Sequence, residues 1–488
     1  MLSMIQDFWP HILGTSAILI AVALSIKVIL ERRDERATIT WVGLLWLSPF
    51  AGAAIYFLLG TNRIRRRAIR LRPGDRQMAP LAIEGSSGSS DLTHLTEKVG
   101  HLAPLSRVVS ELTHKGLTSG NQIALLPGNR IDALTDGDMA YGEMIEAIDE
   151  AKQSIMLASY IFNRDAAGQM FIDALFRAKK RGVKIRVLVD GIGSLYSPRS
   201  TVGYLHRHGI KAQKFLHSLL PWRMPYLNMR NHQKIMVVDG KIGFTGGMNI
   251  RKEYLSSQSA TPIKDLHFKI QGPVVRHLSK TFSREWYFTT QEILEDLWMP
   301  PLAEAGPVMA RGIWSGPDEP IDKARWTILG AISAAQESIT VVTPYFLPDQ
   351  TIHTALRLAA LRGLNVNILL PEENNLAYVK WASMGLLEEL ILAGCRITMT
   401  APPFDHSKLM LVDDRWVLLG SANWDPRSLR LNFEFNVECY DEDLAKTLGV
   451  LVTQRLQGGR ILTAEELSKR PWLIKLRDGV VRLLTPYL

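Results

Sequence analysis

A chain of 488 residues, 47% hydrophobic and 22% charged, is long enough for more than one domain and too apolar for global disorder. Its net charge of +9 suits a nucleic acid or an anionic membrane surface and excludes an acidic, solvating protein. Its two cysteines, Cys395 and Cys439, lie far apart and outside metal-ligand spacing, which excludes a disulfide framework and reads as buried thiols in a reducing compartment.

Residues 11–30 are apolar apart from Lys27, which is near enough to the end to snorkel. A second apolar stretch covers residues 39–59, with Trp41, Trp46 and Tyr56 towards its ends. Each has about the 20 residues that a helix needs to cross a bilayer, neither shows the polar face of a soluble core helix, and the first ten residues lack the basic start of a signal peptide. The expectation is two transmembrane helices within residues 1–62. Arg63, Arg65, Arg66, Arg67, Arg70 and Arg72 follow the second stretch and outweigh Arg32, Arg33 and Arg36 in the loop between the two. The positive-inside rule then puts the chain after residue 59 on the cytoplasmic side, and an even number of spans puts both termini there.

Residues 63–120 read as a basic flank and a linker, with Gly85-Ser-Ser-Gly-Ser-Ser90 as its flexible part. An internal repeat follows. Ala147-Ile-Asp-Glu-Ala-Lys-Gln-Ser-Ile155 returns as Ala331-Ile-Ser-Ala-Ala-Gln-Glu-Ser-Ile339. Each copy leads into a predicted strand (155–162, 339–346), an Asp (Asp165, Asp349), a helical pattern (168–181, 351–362) closed by Arg-Gly, and a second apolar strand (183–189, 364–370). Strand, helix, strand, twice over, argues for two α/β units, here 121–305 and 306–488.

Each unit then carries one motif. The first is His232-Gln-Lys234-Ile-Met-Val-Val-Asp239 with Gly246-Gly-Met-Asn249 behind it; the second is His406-Ser-Lys408-Leu-Met-Leu-Val-Asp413 with Gly420-Ser-Ala-Asn423. Residues two apart on a strand share a face, so His232 and Lys234 can enter one site, as can His406 and Lys408. A lone His-x-Lys carries little information. The whole string, twice and in register, is far more specific.

The doubled His-x-Lys-x4-Asp-x6-Gly-(Gly/Ser)-x-Asn pattern resembles the phospholipase D superfamily across nearly all of residues 121–488. The N-terminal apolar stretches, Thr343-Pro-Tyr-Phe-Leu-Pro-Asp349, Asp265-Leu-His267 before Gly272-Pro273, and Asn423-Trp-Asp-Pro-Arg-Ser428 narrow the likeness to bacterial cardiolipin synthases. The resemblance implies two pseudo-twofold-related α/β sandwich domains behind two transmembrane helices, one active site between the halves, and neither metal nor cofactor. It implies catalytic His232, Lys234, Asp239, His406, Lys408 and Asp413. His232 would be the nucleophile that forms a phosphohistidine and His406 the acid that protonates the leaving oxygen. Lys234 and Lys408, with Asn249 and Asn423, would hold the phosphate. An attacking imidazole needs its other ring nitrogen held, and Asp265 and Glu434 are the carboxylates suited to that. Asp239 and Asp413, a strand-length from their histidines, are expected to brace the site and to take no proton. Gln233 and Ala158 depart from common family residues, which bears on substrate preference.

The implied reaction joins two phosphatidylglycerol molecules into cardiolipin and glycerol at the bacterial inner membrane, with anionic lipids as partners. Hydrolysis by water or transfer to another acceptor, as in a phospholipase D or a phosphatidylserine synthase, uses the same site residues. A nucleic-acid phosphodiesterase fits the charge less well, because much of the basic excess lies beside the membrane segment and no aromatic-basic strand signature appears. Both motifs are intact, which weighs against a non-enzymatic scaffold. The apolar, aromatic loop 215–226 and the C-terminal stretch 471–488 each suit either the bilayer interface or a core. The other histidines, His101 and His353 among them, form no ligand cluster.

Overall fold

The apolar segment 39–59 is where the structure, a computed structural model, departs most from expectation. Residues 2–30, 35–59, 99–115, 123–197, 199–216, 229–294, 298–300, 303–319, 321–483 and 485 are described. The arginine run after residue 60, the linker glycines and serines, and most of the aromatic loop 215–226 lie outside them.

In the unit Met1–Arg67, helix Leu2–Leu30 contains His11–Leu30, which among the described residues is the one helix long and apolar enough to cross a bilayer. The predicted second span is instead two helices, Glu35–Leu47 and Pro49–Leu59. Proline at the first position of a helix has no N–H to give and disfavours helical backbone at the residue before it, so Ser48-Pro49 is the natural bend. The bend is sharp. The ring centroids of Trp41 and Tyr56 come within 5.4 Å, and a Cβ on Gly52 would meet the Leu44 carbonyl oxygen at 2.7 Å. The two arms thus face each other and share a small core of Leu45, Tyr56, Leu24 and Val28, the last two from the first helix.

The unit Ala68–Leu488 is mixed α/β and built on one large sheet. Its strands are β1 (Leu126–Leu134), β2 (Ser154–Ser159), β3 (Lys184–Asp190), β4 (Lys211–Phe215), β5 (Ile235–Val238), β6 (Ile242–Gly246), β7 (His267–Gln271), β8 (Val308–Ser315), β9 (Ser338–Val342), β10 (Asn365–Pro371), β11 (Arg396–Thr400), β12 (Leu409–Val412), β13 (Trp416–Gly420), β14 (Glu434–Tyr440) and β15 (Arg460–Ile461). The order across the sheet is β15-β11-β10-β9-β12-β13-β14-β8-β1-β7-β6-β5-β2-β3-β4. Read outward from the antiparallel β1–β8 pair, β7-β6-β5-β2-β3-β4 and β14-β13-β12-β9-β10-β11 follow the same sequence of directions, antiparallel first and then parallel.

The repeated helices form where predicted. Asp165 and Asp349 are the N-caps of Ala166–Lys180 and Gln350–Leu361, accepting the amides of Gly168 and of Thr351 and Ile352. Each helix stops at an arginine followed by a glycine with positive φ, Gly182 and Gly363. Ile155, Leu157, Phe171, Met236 and Phe244 are buried in one core, and Ile339, Val341, Leu356, Met410 and Trp416 in the other. The motif strands β5 and β12 are therefore apolar along their length, with the polar pair at their N-terminal mouths.

Candidate active site

Two short parallel bridges carry the site. Asn231 pairs with Phe433, and Lys264 with Asp405. In the first, the His232 amide donates to the Phe433 carbonyl at 2.9 Å, and in the second the His406 amide donates to the Lys264 carbonyl at 2.7 Å. The residue after each accepting carbonyl is a carboxylate, Glu434 or Asp265. His232 Nδ1 accordingly lies 3.0 Å from both oxygens of Glu434, and His406 Nδ1 lies 2.8 Å from Asp265 Oδ2. Each histidine is held by a carboxylate from the other repeat.

Glu434 is fixed in turn by Ser421 Oγ at 2.5 Å and Asn432 Nδ2 at 3.2 Å. Asp265 is fixed by the Leu266 amide at 2.8 Å, and the Tyr254 hydroxyl stands 3.5 Å from it and 3.4 Å from His406 Nδ1. Gly247 has to be glycine: a Cβ there would fall 2.1 Å from Asp265 Oδ1.

His232, His406, Asn249 and Asn423 line one cavity of about 590 Å³. Lys234 and Lys408 are buried beside the histidines and donate to their carbonyls, Lys234 at 2.6 Å. Lys408 Nζ also lies 2.8 Å from His406 Nδ1. Asn249 Oδ1 accepts the Ile161 amide at 3.1 Å, and Asn423 Nδ2 donates to Ser428 Oγ at 3.3 Å.

Asp239 and Asp413, grouped by the motif with the catalytic residues, are not brought to this cavity. They sit at the far ends of β5 and β12, first in the three-residue connections of the β5–β6 and β12–β13 hairpins, where Val238 pairs with Ile242 and Val412 with Trp416. Positive φ at Asp239 and Gly240, and at Asp413 and Asp414, makes these turns of the primed kind that match strand twist. Asp239 accepts the amides of Lys152, Gln153 and Ser154, and Asp413 those of Gln336, Glu337 and Ser338. His101 Nε2 adds a 2.6 Å contact to Asp413. The motif aspartate thus ties its hairpin to the turn that leads from helix Gly137–Glu150 into β2, or from helix Lys323–Ala334 into β9.

Reasoning from sequence missed Tyr160, whose ring is 5.0 Å from that of His232, as well as Tyr254, Ser421, Arg230 and the role of Arg427 in the cavity lining. Arg230 was open to discovery: the rule that pairs His232 with Lys234 extends two residues upstream.

The family model described as cardiolipin synthase, PLD-like domain, matches residues 144–286 and 328–454, more than half of the chain. The chain belongs to the cardiolipin synthase family. It is 30% identical to cardiolipin synthase 2 of Staphylococcus epidermidis over 98% of both chains. It is 32% identical to the major cardiolipin synthase of Bacillus subtilis over 96% of this chain and 97% of that one. The model described as phospholipase D-nuclease N-terminal matches residues 19–60, the apolar helices, and membrane association follows from them. The fold is also that of phosphatidylserine synthase from Haemophilus influenzae, with a TM-score of 0.60 at 17% identity, covering 79% of this chain and all of that structure.

In this cardiolipin synthase, burial sets the protonation of the site. It lowers the pKa of His232, against the pull of Glu434, and lowers that of His406 further with the help of Lys408 and Lys234. Burial also brings Lys234 down to about 7 and Lys408 to about 8. Burial opposes the charge on Glu434, but His232, Lys234 and Ser421 overcome it and hold the carboxyl below its usual range. Asp265, less well supported, is pushed up to about 6 by burial. An ionised carboxylate can only accept, so the Nδ1 proton of His232 points to Glu434 and Nε2 is the nitrogen left for chemistry.

Proposed function

We propose that this chain is a membrane-bound cardiolipin synthase that moves a phosphatidyl group from one phosphatidylglycerol to the headgroup hydroxyl of another and releases glycerol. The observation that carries the reading is two histidines on one cavity, each held at Nδ1 by a carboxylate of the other repeat. His232 Nε2 attacks phosphorus while the glycerol oxygen leaves with a proton from His406. The hydroxyl of the second lipid then gives its proton back to His406 and displaces His232 from phosphorus. Positive charge accumulates on His232 when its Nε2 binds phosphorus. The better-ionised carboxylate, Glu434, stands behind that ring, which supports His232 as the nucleophile. Lys234 and Lys408 supply cations beneath the transferring phosphate, and an anion in the cavity restores charge that burial weakens. Asn249 and Asn423 border the phosphate, and Asp265 orients His406.

The matching strand directions support two pseudo-twofold-related phospholipase D-like domains, 121–305 and 306–488, each giving one histidine. At the membrane, His11–Leu30 crosses the bilayer. The bent pair Glu35–Leu47 and Pro49–Leu59 enters and leaves by one face in place of a second span, since each arm is shorter than the roughly 20 residues a crossing requires. The arginines that follow assign that face to the cytoplasm, so the N-terminus lies on the other side and the two termini are not together.

The deciding experiment gives the purified full chain, in liposomes, phosphatidylglycerol alone and follows cardiolipin, phosphatidic acid and glycerol. Cardiolipin and glycerol in equal amounts are expected. Phosphatidic acid as the main product would assign the site to hydrolysis.

A further inference from the structure

The two sides of the cavity are not equivalent. Arg230 stands two residues before His232, where Phe404 stands before His406. Arg427 stands four residues after Asn423, where the first motif has Glu253 after Asn249. Arg230, Arg427 and Phe404 all line the cavity. The fourth position adds no cation: Glu253 is bonded to Arg251 Nε at 2.8 Å, which also accounts for that guanidinium. The symmetry of the motifs is therefore broken in charge, with two arginines on the His232 side and an aromatic ring with a neutralised pair on the other.

The arginines are held close together by the backbone. The Asn432 amide donates to the Arg427 carbonyl and the next amide, of Phe433, to the Arg230 carbonyl, both at 2.8 Å. Arg427 is mostly buried, and burial and then the neighbouring Arg230 lower its pKa. Arg230 Nη1 is buried with no hydrogen-bond partner among the described residues. Asp190 attracts Arg230 and Asp425 attracts Arg427, and both carboxylates are shared with backbone amides: Asp190 with those of Ile192, Gly193 and Asn231, and Asp425 with that of Ser428. Two guanidinium groups crowded at one wall of a cavity, one of them with a buried N–H unmatched, make an anion subsite.

We infer that Arg230 and Arg427 hold the phosphodiester of the acceptor lipid while its headgroup hydroxyl attacks the phosphohistidine. The inference rests on the proposed transfer reaction and deepens it. That second step places two phosphodiesters in one low-dielectric cavity, and they repel unless each has its own cations. Lys234 and Lys408 serve the phosphorus at the histidines, which leaves the arginine wall for the other. Two residues of extended chain span about 6.6 Å, so Arg230 is displaced from His232 by the scale of the three-carbon bridge that joins the two phosphates of cardiolipin. Guanidinium also suits a diester's two free oxygens, which it can bind in parallel. Water and small neutral alcohols make no use of this wall, so it favours a lipid acceptor over them.

The test follows two products of the full chain in liposomes of phosphatidylglycerol containing ethanol as an uncharged acceptor. Arg230→Gln and Arg427→Gln are expected to lower the ratio of cardiolipin to phosphatidylethanol at least tenfold, with Arg427→Lys between them and the parent. Thermal melting identifies folded variants, and the lysine substitutions of both positions replace any glutamine variant that melts early. An equal fall in both products would make the arginines part of the donor site or the fold and overturn the inference, as would an unchanged ratio. Absence of cardiolipin from the parent protein would instead overturn the transfer reaction itself.

Discussion

Glu434 holds Nδ1 of His232 across 202 residues of chain, with both carboxylate oxygens at 3.0 Å. Sequence proximity suggests a different pairing, because Asp265 is the carboxylate that follows His232 within its own repeat. The bridge between Asn231 and Phe433 decides otherwise by laying the entry to β14 beside the entry to β5. Glu434→Gln keeps the size of the side chain and removes the obligatory acceptor. Cardiolipin formation is expected to drop about 10²–10⁴-fold, the range for losing the partner that fixes a catalytic imidazole tautomer, at an almost unchanged melting temperature. NMR of histidine-labelled protein should show a further lowered His232 pKa in this variant. If Asp265→Asn moved that resonance instead and Glu434→Gln did not, the crossed pairing would be wrong.

Gly247→Ala tests the other pair without touching it. The added methyl would lie 2.1 Å from Asp265 Oδ1, so the carboxylate has to move away from His406. Loss of activity comparable to that of Asp265→Asn is expected, together with about 1–3 kcal/mol of destabilisation from overpacking. Denaturant unfolding and turnover measured on the same preparation check both.

For Asp239 and Asp413, stability and not chemistry should respond. Replacing either by alanine leaves three backbone amides without their acceptor; those at Asp239 are exposed or part-buried and those at Asp413 part-buried, so water replaces part of each bond and a total cost of about 1–2 kcal/mol is expected. The folded fraction is expected to fall while turnover per folded molecule stays within a few-fold of the parent. Burial works against the Asp413 charge, but the amides and His101 prevail and depress its pKa. A depressed carboxyl stabilises the fold above its unfolded pKa and loses that contribution as pH falls through the folded value, so the Asp413→Ala deficit should shrink in acid below about pH 4.

The pH dependence of kcat/KM reports the free site. Asp265 must be ionised to orient His406, so activity should fall as pH drops through about 6. The lysines must be charged to receive a phosphodiester, so it should fall again as pH rises through about 7 to 8. With saturating lipid, the alkaline limb of kcat should move upward, because bound phosphate stabilises the lysine charge. A flat profile from pH 6 to 9 would contradict the assignment.

Membrane topology can be read with epitope tags at the two ends, probed by protease in sealed spheroplasts. The bent helix pair predicts an N-terminal tag that is cut and a C-terminal tag that is protected. Protection of both would restore a second span.

The repeat, the strands and helices flanking it, the two motif histidines and the apolar anchor were all legible in the chain, because each depends on short-range periodicity or on residues a few positions apart. Asp165 and Asp349 as caps, and Gly182 and Gly363 as helix stops, belong to that local class. Tertiary structure alone decided which carboxylate serves which histidine, that Arg230 and Arg427 share a wall, and that Trp41 meets Tyr56. Those relationships join residues distant in sequence through backbone pairing and a proline bend, and no local pattern records which segments will meet. The motif aspartates show the division within one motif: their spacing already suggested bracing residues that take no proton, but only the tertiary structure showed what they brace, the amides of residues 152–154 and 336–338 at the ends of β5 and β12 away from the cavity.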